Sequence, residues 1–352
     1  MSQPRVALLG VGLIGGSIGL AARQRLGAWV VGCNRSPAAL ATALEMGAID
    51  EAVGSLDELG EADVAIASVS VDALPGAVRD LCDRLPAAVV SDVGSTKQAL
   101  VDAVDHEHFI GGHPLAGAET TGVAHARADL FDGATWYLTP SERTPGVLYE
   151  RLARFVAGLG AVPTAIAPAD HDRLMAAVSH LPHVVANLLV AQAAEALGGE
   201  TPPATGPSFR DATRVAGANP PLWEQIYRSN RVALGVQIDD LVRRLGEVRA
   251  LLRSDDGDGL RAWQARASDQ RGALLDVGLL GGAARELRVA VPNQPGVVAS
   301  IALALGRAGI NITDMSLAPE PDNSTGVVAL WVRADDAGRA IELVAGLGYP
   351  AA

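Results

Sequence analysis

Apolar positions in the first half of the chain fall in short runs separated by helical stretches. Val6–Leu9 is the first run, followed by a helical stretch to about Leu26 and a second run at Trp29–Cys33, the start of a β-α-β unit. Further apolar runs at Val64–Val69, Ala88–Val93 and Trp136–Thr139 alternate with alanine-rich helical segments. This alternation predicts a doubly wound α/β domain, a parallel sheet with helices on both faces. From about Pro168 the period becomes that of long helices, over 170–198, 208–217, 220–253 and 257–271, punctuated by Gly and Pro. Gly281-Gly282 marks a linker. Beyond it, Glu286–Val291, Gly296–Ala308, Ile310–Leu317, Val327–Val332 and Ala334–Leu347 read β-α-β-β-α, and the tail from Gly348 leaves little room for another strand. Three modules are expected: an α/β domain over 1–167, an all-helical domain over 168–280 and a small α+β domain over 285–352.

Composition supports this division. A chain of 352 residues, 49% hydrophobic and 19% charged, is too long for one ordinary core. Its net charge of −12 and the lack of a basic stripe argue against a nucleic-acid surface. Cys33 and Cys82 are the two cysteines and form no CxxC pair, so neither a metal site nor a disulfide framework is expected. The first residues enter a strand-like run at once, without signal-peptide architecture, and no apolar run approaches about 20 residues. A cytoplasmic protein with no membrane span is expected.

The first apolar run leads into Gly10-Val11-Gly12-Leu13-Ile14-Gly15. A glycine motif that follows a strand and opens a helix is suited to a dinucleotide. Gly10 permits the tight turn, Gly12 the approach of a pyrophosphate, and Gly15 close packing of helix on strand. The amides of Leu13 and Ile14 at the helix start then face the phosphates. The second strand ends in Cys33-Asn34-Arg35-Ser36, without the carboxylate that holds the adenosine ribose of NAD. Arg35 offers a partner for adenine or for a ribose phosphate, which leans toward tolerance of NADP. The cofactor is read as NAD or NADP.

Three further motifs carry chemistry: Ser91-Asp92-Val93-Gly94-Ser95-Thr96-Lys97 at a strand end, Gly111-Gly112-His113-Pro114-Leu115-Ala116-Gly117-Ala118-Glu119, and the pair Ser179-His180-Leu181-Pro182-His183 and Phe209-Arg210-Asp211-Ala212-Thr213-Arg214. A nicotinamide takes hydride but not a hydroxyl proton, and an imidazole with an ordinary pKa of about 6.5 can accept that proton. His113, framed by glycines and a proline, is the candidate base. His180 and His183 share one helical face, His183 as a site residue and His180 as a packing residue or cap. Asp211 has the spacing of an ion-pair partner for Arg214. His106, His108, His125 and His171 carry no motif and are expected to be solvated.

These motifs, in this order, resemble the prephenate dehydrogenase family along the whole chain. The resemblance implies a Rossmann domain, a helical dimerisation domain and an active site in the cleft between them. It implies oxidative decarboxylation of prephenate to 4-hydroxyphenylpyruvate with hydride transfer to NAD or NADP, in tyrosine biosynthesis, by a homodimer. By the same resemblance His113 engages the ring hydroxyl, and Ser95 holds both the histidine and the hydroxyl. Arg214 binds a substrate carboxylate, with Glu119, His183 and Asp211 also on the substrate side. Ala118 stands where relatives often carry threonine.

Pro292-Asn293-Gln294-Pro295-Gly296 and the helix after it resemble an ACT domain, a module that often binds amino acids. L-tyrosine is the expected effector, against a purely structural role for the module. Arogenate dehydrogenase, which makes L-tyrosine directly, is the alternative activity. A non-catalytic amino-acid sensor is a third reading, disfavoured by the Ser95, His113 and Arg214 set.

Overall fold

The computed structural model describes residues 3–117, 120–198, 206–276, 284–319 and 324–351. The chain divides into two compact units, Met1–Asp172 with Ala284–Ala352, and Arg173–Ala283.

The first unit is built on strands β1 (Arg5–Leu9), β2 (Trp29–Cys33), β3 (Glu51–Val53), β4 (Val64–Ala67), β5 (Val89–Asp92), β6 (Phe109–Pro114), β7 (Thr135–Thr139) and β8 (Val162–Ala165). Their spatial order is β3-β2-β1-β4-β5-β6-β7-β8. Helices α1 (Leu13–Leu26), α2 (Pro37–Glu45), α3 (Leu74–Arg84), α4 (Gln98–Ala103) and α5 (Gly146–Gly158) connect and cover them. Alternation along β1 sends Val6 and Leu8 into one core and Ala7 into the other, so both faces are apolar. β1 to β6 are parallel, as expected.

β7 departs from that expectation and runs antiparallel to β6, with His113 opposite Tyr137. A parallel return needs a crossover of a dozen or more residues, usually a helix. Within the described part of the return, the single turn Val123–His125 is the helical structure present. β8 then pairs in parallel with β7 across α5. β6 escapes the apolar-run reading because Gly111 and Gly112 lack strand-forming side chains. They are required there: a Cβ on Gly112 would lie 2.5 Å from the Asp92 carbonyl oxygen and 2.7 Å from Ser91 Oγ.

The helical run begins with α6 (Pro168–Met175) and continues through one π turn, Ala176–His180, into α7 (Leu181–Ala196). Pro182 has no N–H to donate and its ring crowds the carbonyl four residues back, which the wider turn relieves. Within this 29-residue helix an 18-residue window has a mean hydropathy of 1.6, long and apolar enough to cross a membrane by length and composition. That corrects the expectation that no apolar stretch reaches such a length; the histidines scattered along it break up the run of apolar letters. α8 (Pro207–Thr213), α9 (Pro220–Ser229), α10 (Arg231–Arg253) and α11 (Gly257–Asp276) follow. The helix expected over 220–253 breaks at Asn230, whose side-chain amide bonds His180 Nδ1 at 3.1 Å.

The carboxyl-terminal module, part of the first unit by its contacts, has strands β9 (Ala284–Pro292), β10 (Ile312–Pro319) and β11 (Thr325–Arg333) with helices α12 (Val297–Arg307) and α13 (Ala337–Gly346). Its antiparallel sheet has the order β10-β11-β9. It docks against α5 and β8: Gly296 N–H donates to the Thr144 carbonyl at 3.1 Å, and Arg307 pairs with Asp170 at 3.4 Å. Gly306 packs so close to β8 that a Cβ would lie 2.0 Å from the Ala165 carbonyl oxygen.

Candidate active site

The glycine motif folds as its spacing requires. Gly10 has φ +95° and a Cβ there would meet the Ser68 carbonyl oxygen at 2.1 Å, so only glycine fits. Gly12 precedes α1, and a Cβ placed on it would find nothing within 4 Å. No side chain caps α1 at Gly12 and no acid lies in its first turn. The amides of Leu13 and Ile14 thus start a helix with open space before it, which fits a pyrophosphate. At the end of β2, Asn34 is half-buried and Arg35 exposed, without an ion pair among the described residues. The Ser36 hydroxyl accepts from Ala39 N at 3.3 Å and so caps α2.

At the end of β5, Asp92 and Lys97 form an ion pair in which both side chains are fully buried. Asp92 also accepts from Gly94 N at 2.7 Å and Gly112 N at 2.9 Å, while Lys97 Nζ donates to the Gly112 carbonyl at 2.7 Å. Burial pulls the Lys97 ammonium down from its ordinary range, and Asp92 opposes that pull. The backbone just before His113 is thereby fixed from both sides.

His113 is half-buried on β6, and its Nδ1 lies 2.8 Å from His171 Nε2. The two rings meet edge to face with centroids 5.1 Å apart. His171 Nδ1 in turn lies 2.8 Å from Asp172 Oδ1. Asp172 also accepts from Lys97 N at 2.8 Å and from Gln98 N at 2.9 Å, which ties the carboxylate to the start of α4. His171 is therefore not solvated, as the sequence suggests, but fully buried. Its pKa is pushed down by burial first, with the Lys97 charge adding and Asp172 opposing. Ser95, expected to hold His113, is half-buried in the loop between Asp92 and Lys97, and its hydroxyl bonds no described residue. His171 makes the contact instead.

The second unit carries His183, Arg214 and Asp211. His183 stacks on Trp223 with centroids 3.5 Å apart and planes 26° from parallel. Burial lowers its pKa, and the Arg214 charge lowers it further. Arg214 ends α8 and is exposed. Asp211 is exposed and forms no ion pair among the described residues, so it is not the partner of Arg214 that its spacing suggests. His180 is buried against Asn230 and Trp223, a packing residue. Ala118 and Glu119 lie outside the described residues. Among the described residues no cluster of His, Cys, Asp and Glu is placed to hold a metal.

Two participants escaped sequence reasoning, His171-Asp172 and Trp223. A His-Asp dipeptide opening an apolar helix was the available signal for the first; Trp223 offered none.

A glycine-cradled helix start after β1 and a histidine on β6 of the same sheet are the equipment of a dinucleotide-dependent oxidoreductase. Comparison narrows the class. Residues 18–164 match the model of the prephenate dehydrogenase nucleotide-binding domain, residues 167–265 that of the prephenate dehydrogenase dimerisation domain, and residues 285–345 that of the ACT domain. The chain is 31% identical to prephenate dehydrogenase of Bacillus subtilis (strain 168), over 94% of this chain and 92% of that protein. It is 30% identical to cyclohexadienyl dehydrogenase of Zymomonas mobilis, over 72% of this chain and 90% of that protein. Among solved structures it resembles Aquifex aeolicus prephenate dehydrogenase in complex with hydroxyphenyl propionate and NAD+ (TM-score 0.71, 27% identity, 78% of this chain and 99% of that one). It also resembles Synechocystis arogenate dehydrogenase (TM-score 0.68, 29% identity, 77% of this chain and 99% of that one). The chain belongs to the prephenate dehydrogenase family.

Proposed function

We propose that this chain catalyses the oxidative decarboxylation of prephenate, with His113 as proton acceptor and Arg214 as a carboxylate-binding group. The observation that carries the reading is His113 itself: a half-buried imidazole on β6 whose preceding residue is locked by the buried Asp92–Lys97 pair. A nicotinamide dinucleotide bound at the Gly10–Gly15 turn supplies the hydride acceptor. The hydroxyl-bearing ring carbon gives up hydride while His113 takes the hydroxyl proton, leaving a ring ketone. The bond to the ring carboxylate then breaks, carbon dioxide leaves, and the electron pair completes the aromatic ring. The phenolate oxygen recovers the proton from His113, giving 4-hydroxyphenylpyruvate. Arg214 provides the planar fork that a substrate carboxylate needs.

Arogenate has the same ring and differs in carrying an amino group on its side chain. The likeness to the Zymomonas cyclohexadienyl and Synechocystis arogenate enzymes favours it as a second substrate. The exposed Arg35 and the missing acid after β2 support use of NADP+ as well as NAD+. Initial rates with prephenate and arogenate, each against NAD+ and NADP+, test the reading; no turnover in any combination contradicts it.

The working form is a homodimer built on the helical domain. Leu188, Val232, Val236, Leu245 and Leu252 are exposed apolar residues on α7 and α10, and the match to a dimerisation domain supports their burial against a second copy. Sedimentation at micromolar concentration tests this.

L-tyrosine acts as effector at the carboxyl-terminal module. A cleft of about 140 Å³ between the Pro292–Pro295 loop and Gly146-Val147 of α5 supports it. Val147→Trp fills that cleft and should abolish inhibition by tyrosine; inhibition unchanged in this variant contradicts the assignment.

A further inference from the structure

The buried chain Asp172–His171–His113 has a direction. Each oxygen of the Asp172 carboxylate already accepts a backbone N–H, Oδ1 from Lys97 and Oδ2 from Gln98, so it meets His171 Nδ1, 2.8 Å from Oδ1, as an acceptor. His171 therefore carries its proton on Nδ1, and its Nε2 presents a lone pair. Only one arrangement then satisfies the 2.8 Å contact to His113: His113 Nδ1 carries a proton and donates it to His171 Nε2. The tautomer of His113 is thus set from two residues away, and its own lone pair falls on Nε2. We infer that His171, anchored by Asp172, is a positioning residue that holds His113 in the Nδ1-protonated form and aims Nε2 at the proton to be removed.

The inference rests on the reading of His113 as base, but its geometry stands without it. Free imidazole side chains favour a proton on Nε2, the form in which His113 could not accept a proton there. The arrangement follows the orienting logic of nucleophile–histidine–carboxylate triads, with a second histidine between base and carboxylate. The edge-to-face ring contacts of His171 with His113 and Tyr137 restrict rotation, their centroids 5.1 and 5.6 Å apart. The titratable groups around His171 are His113, Asp172, Tyr137 and the Lys97–Asp92 pair, and the last is a balanced ion pair that adds little net charge. When His113 becomes imidazolium, its Nδ1–H already points at an acceptor backed by a carboxylate, so the product of proton transfer is stabilised as well as the geometry.

Nitrogen-15 NMR of histidine-labelled full-length protein, without substrate, reads the tautomer directly; loss of one signal set in His113→Asn identifies His113. The expected result is a protonated Nδ1 and a bare Nε2. A protonated Nε2 in the wild-type protein overturns the proposal whatever the enzyme turns over. Kinetics supply the second arm. His171→Ala should lower kcat about 10²-fold with KM for the dienol substrate changed little. It should also move the acid limb of the kcat/KM profile to lower pH, because the imidazolium loses its acceptor. His171→Gln keeps an acceptor oxygen and should recover part of kcat, a rescue that a merely structural role would not show. Wild-type kcat in His171→Ala overturns the assignment. The expected tautomer in a protein that turns over neither prephenate nor arogenate would uphold the positioning and refute the function.

Discussion

Lys97 Nζ donates to the carbonyl oxygen of Gly112, 2.7 Å away, in the residue just before His113. The same ammonium pairs with Asp92, which accepts from the Gly112 N–H, so both backbone groups of Gly112 end on one buried ion pair. A buried pair adds little net stability compared with apolar residues, yet removing one partner strands the other charge.

Lys97→Met leaves the Asp92 carboxylate buried without its cation. Unfolding in urea should show a loss of about 3–5 kcal/mol, and Asp92→Asn added to Lys97→Met should recover part of it. A loss under about 1 kcal/mol would mean that the pair does not hold β6.

Two glycines of the cofactor turn should behave differently. Gly10→Ala forces a Cβ onto the Ser68 carbonyl at a φ of +95° and should destabilise the fold by more than about 2 kcal/mol. Gly12→Ala meets no atom within 4 Å, so the melting temperature should hardly change. KM for the dinucleotide should still rise about 10-fold, because the methyl group occupies the pyrophosphate's approach. Equal effects of both variants on stability would contradict the separate roles.

The glycine turn was legible in the sequence because everything it needs is local: a strand, three glycines and a helix within one unit. The reversal at β7 was not, since it depends on the described residues between β6 and β7 forming only the short turn Val123–His125. The three-module expectation came from changes of period and the Gly281-Gly282 pair, whereas by contacts the third module joins the first unit. The deeper miss is His171. As a polar residue beside Asp170, Asp172 and Arg173 it looks like part of a solvated helix start. Its burial follows from tertiary pairing with His113 and with the α4 amides, which no spacing along the chain discloses.

Acidification should expose the same residue. His171 has a folded pKa below its ordinary 6.5, so between those values the unfolded chain binds a proton that the folded chain does not. Its contribution therefore turns unfavourable as pH falls through 6.5, at no more than about 1.4 kcal/mol per pH unit. His183, lowered in the same direction, adds to the slope. Denaturation at about pH 7.5 and about pH 5.5 should show lower stability at the acid value, with a smaller difference in His171→Gln. An identical difference in wild type and variant would remove His171 from the explanation.

Arg35→Ala should separate the two cofactors. A charge-assisted bond to a ribose phosphate contributes about 1.5–3 kcal/mol, so kcat/KM with NADP+ should fall about 10- to 100-fold while that with NAD+ changes little. Equal losses with both cofactors would point instead to stacking of the guanidinium on the adenine they share.

The most direct measurement is steady-state turnover of prephenate by His113→Asn beside the wild-type protein at the same pH. Removal of a general base should lower kcat by about 10²–10⁴-fold while KM for prephenate stays within a few-fold. Wild-type kcat in that variant would contradict the assignment of His113 as the group that takes the hydroxyl proton.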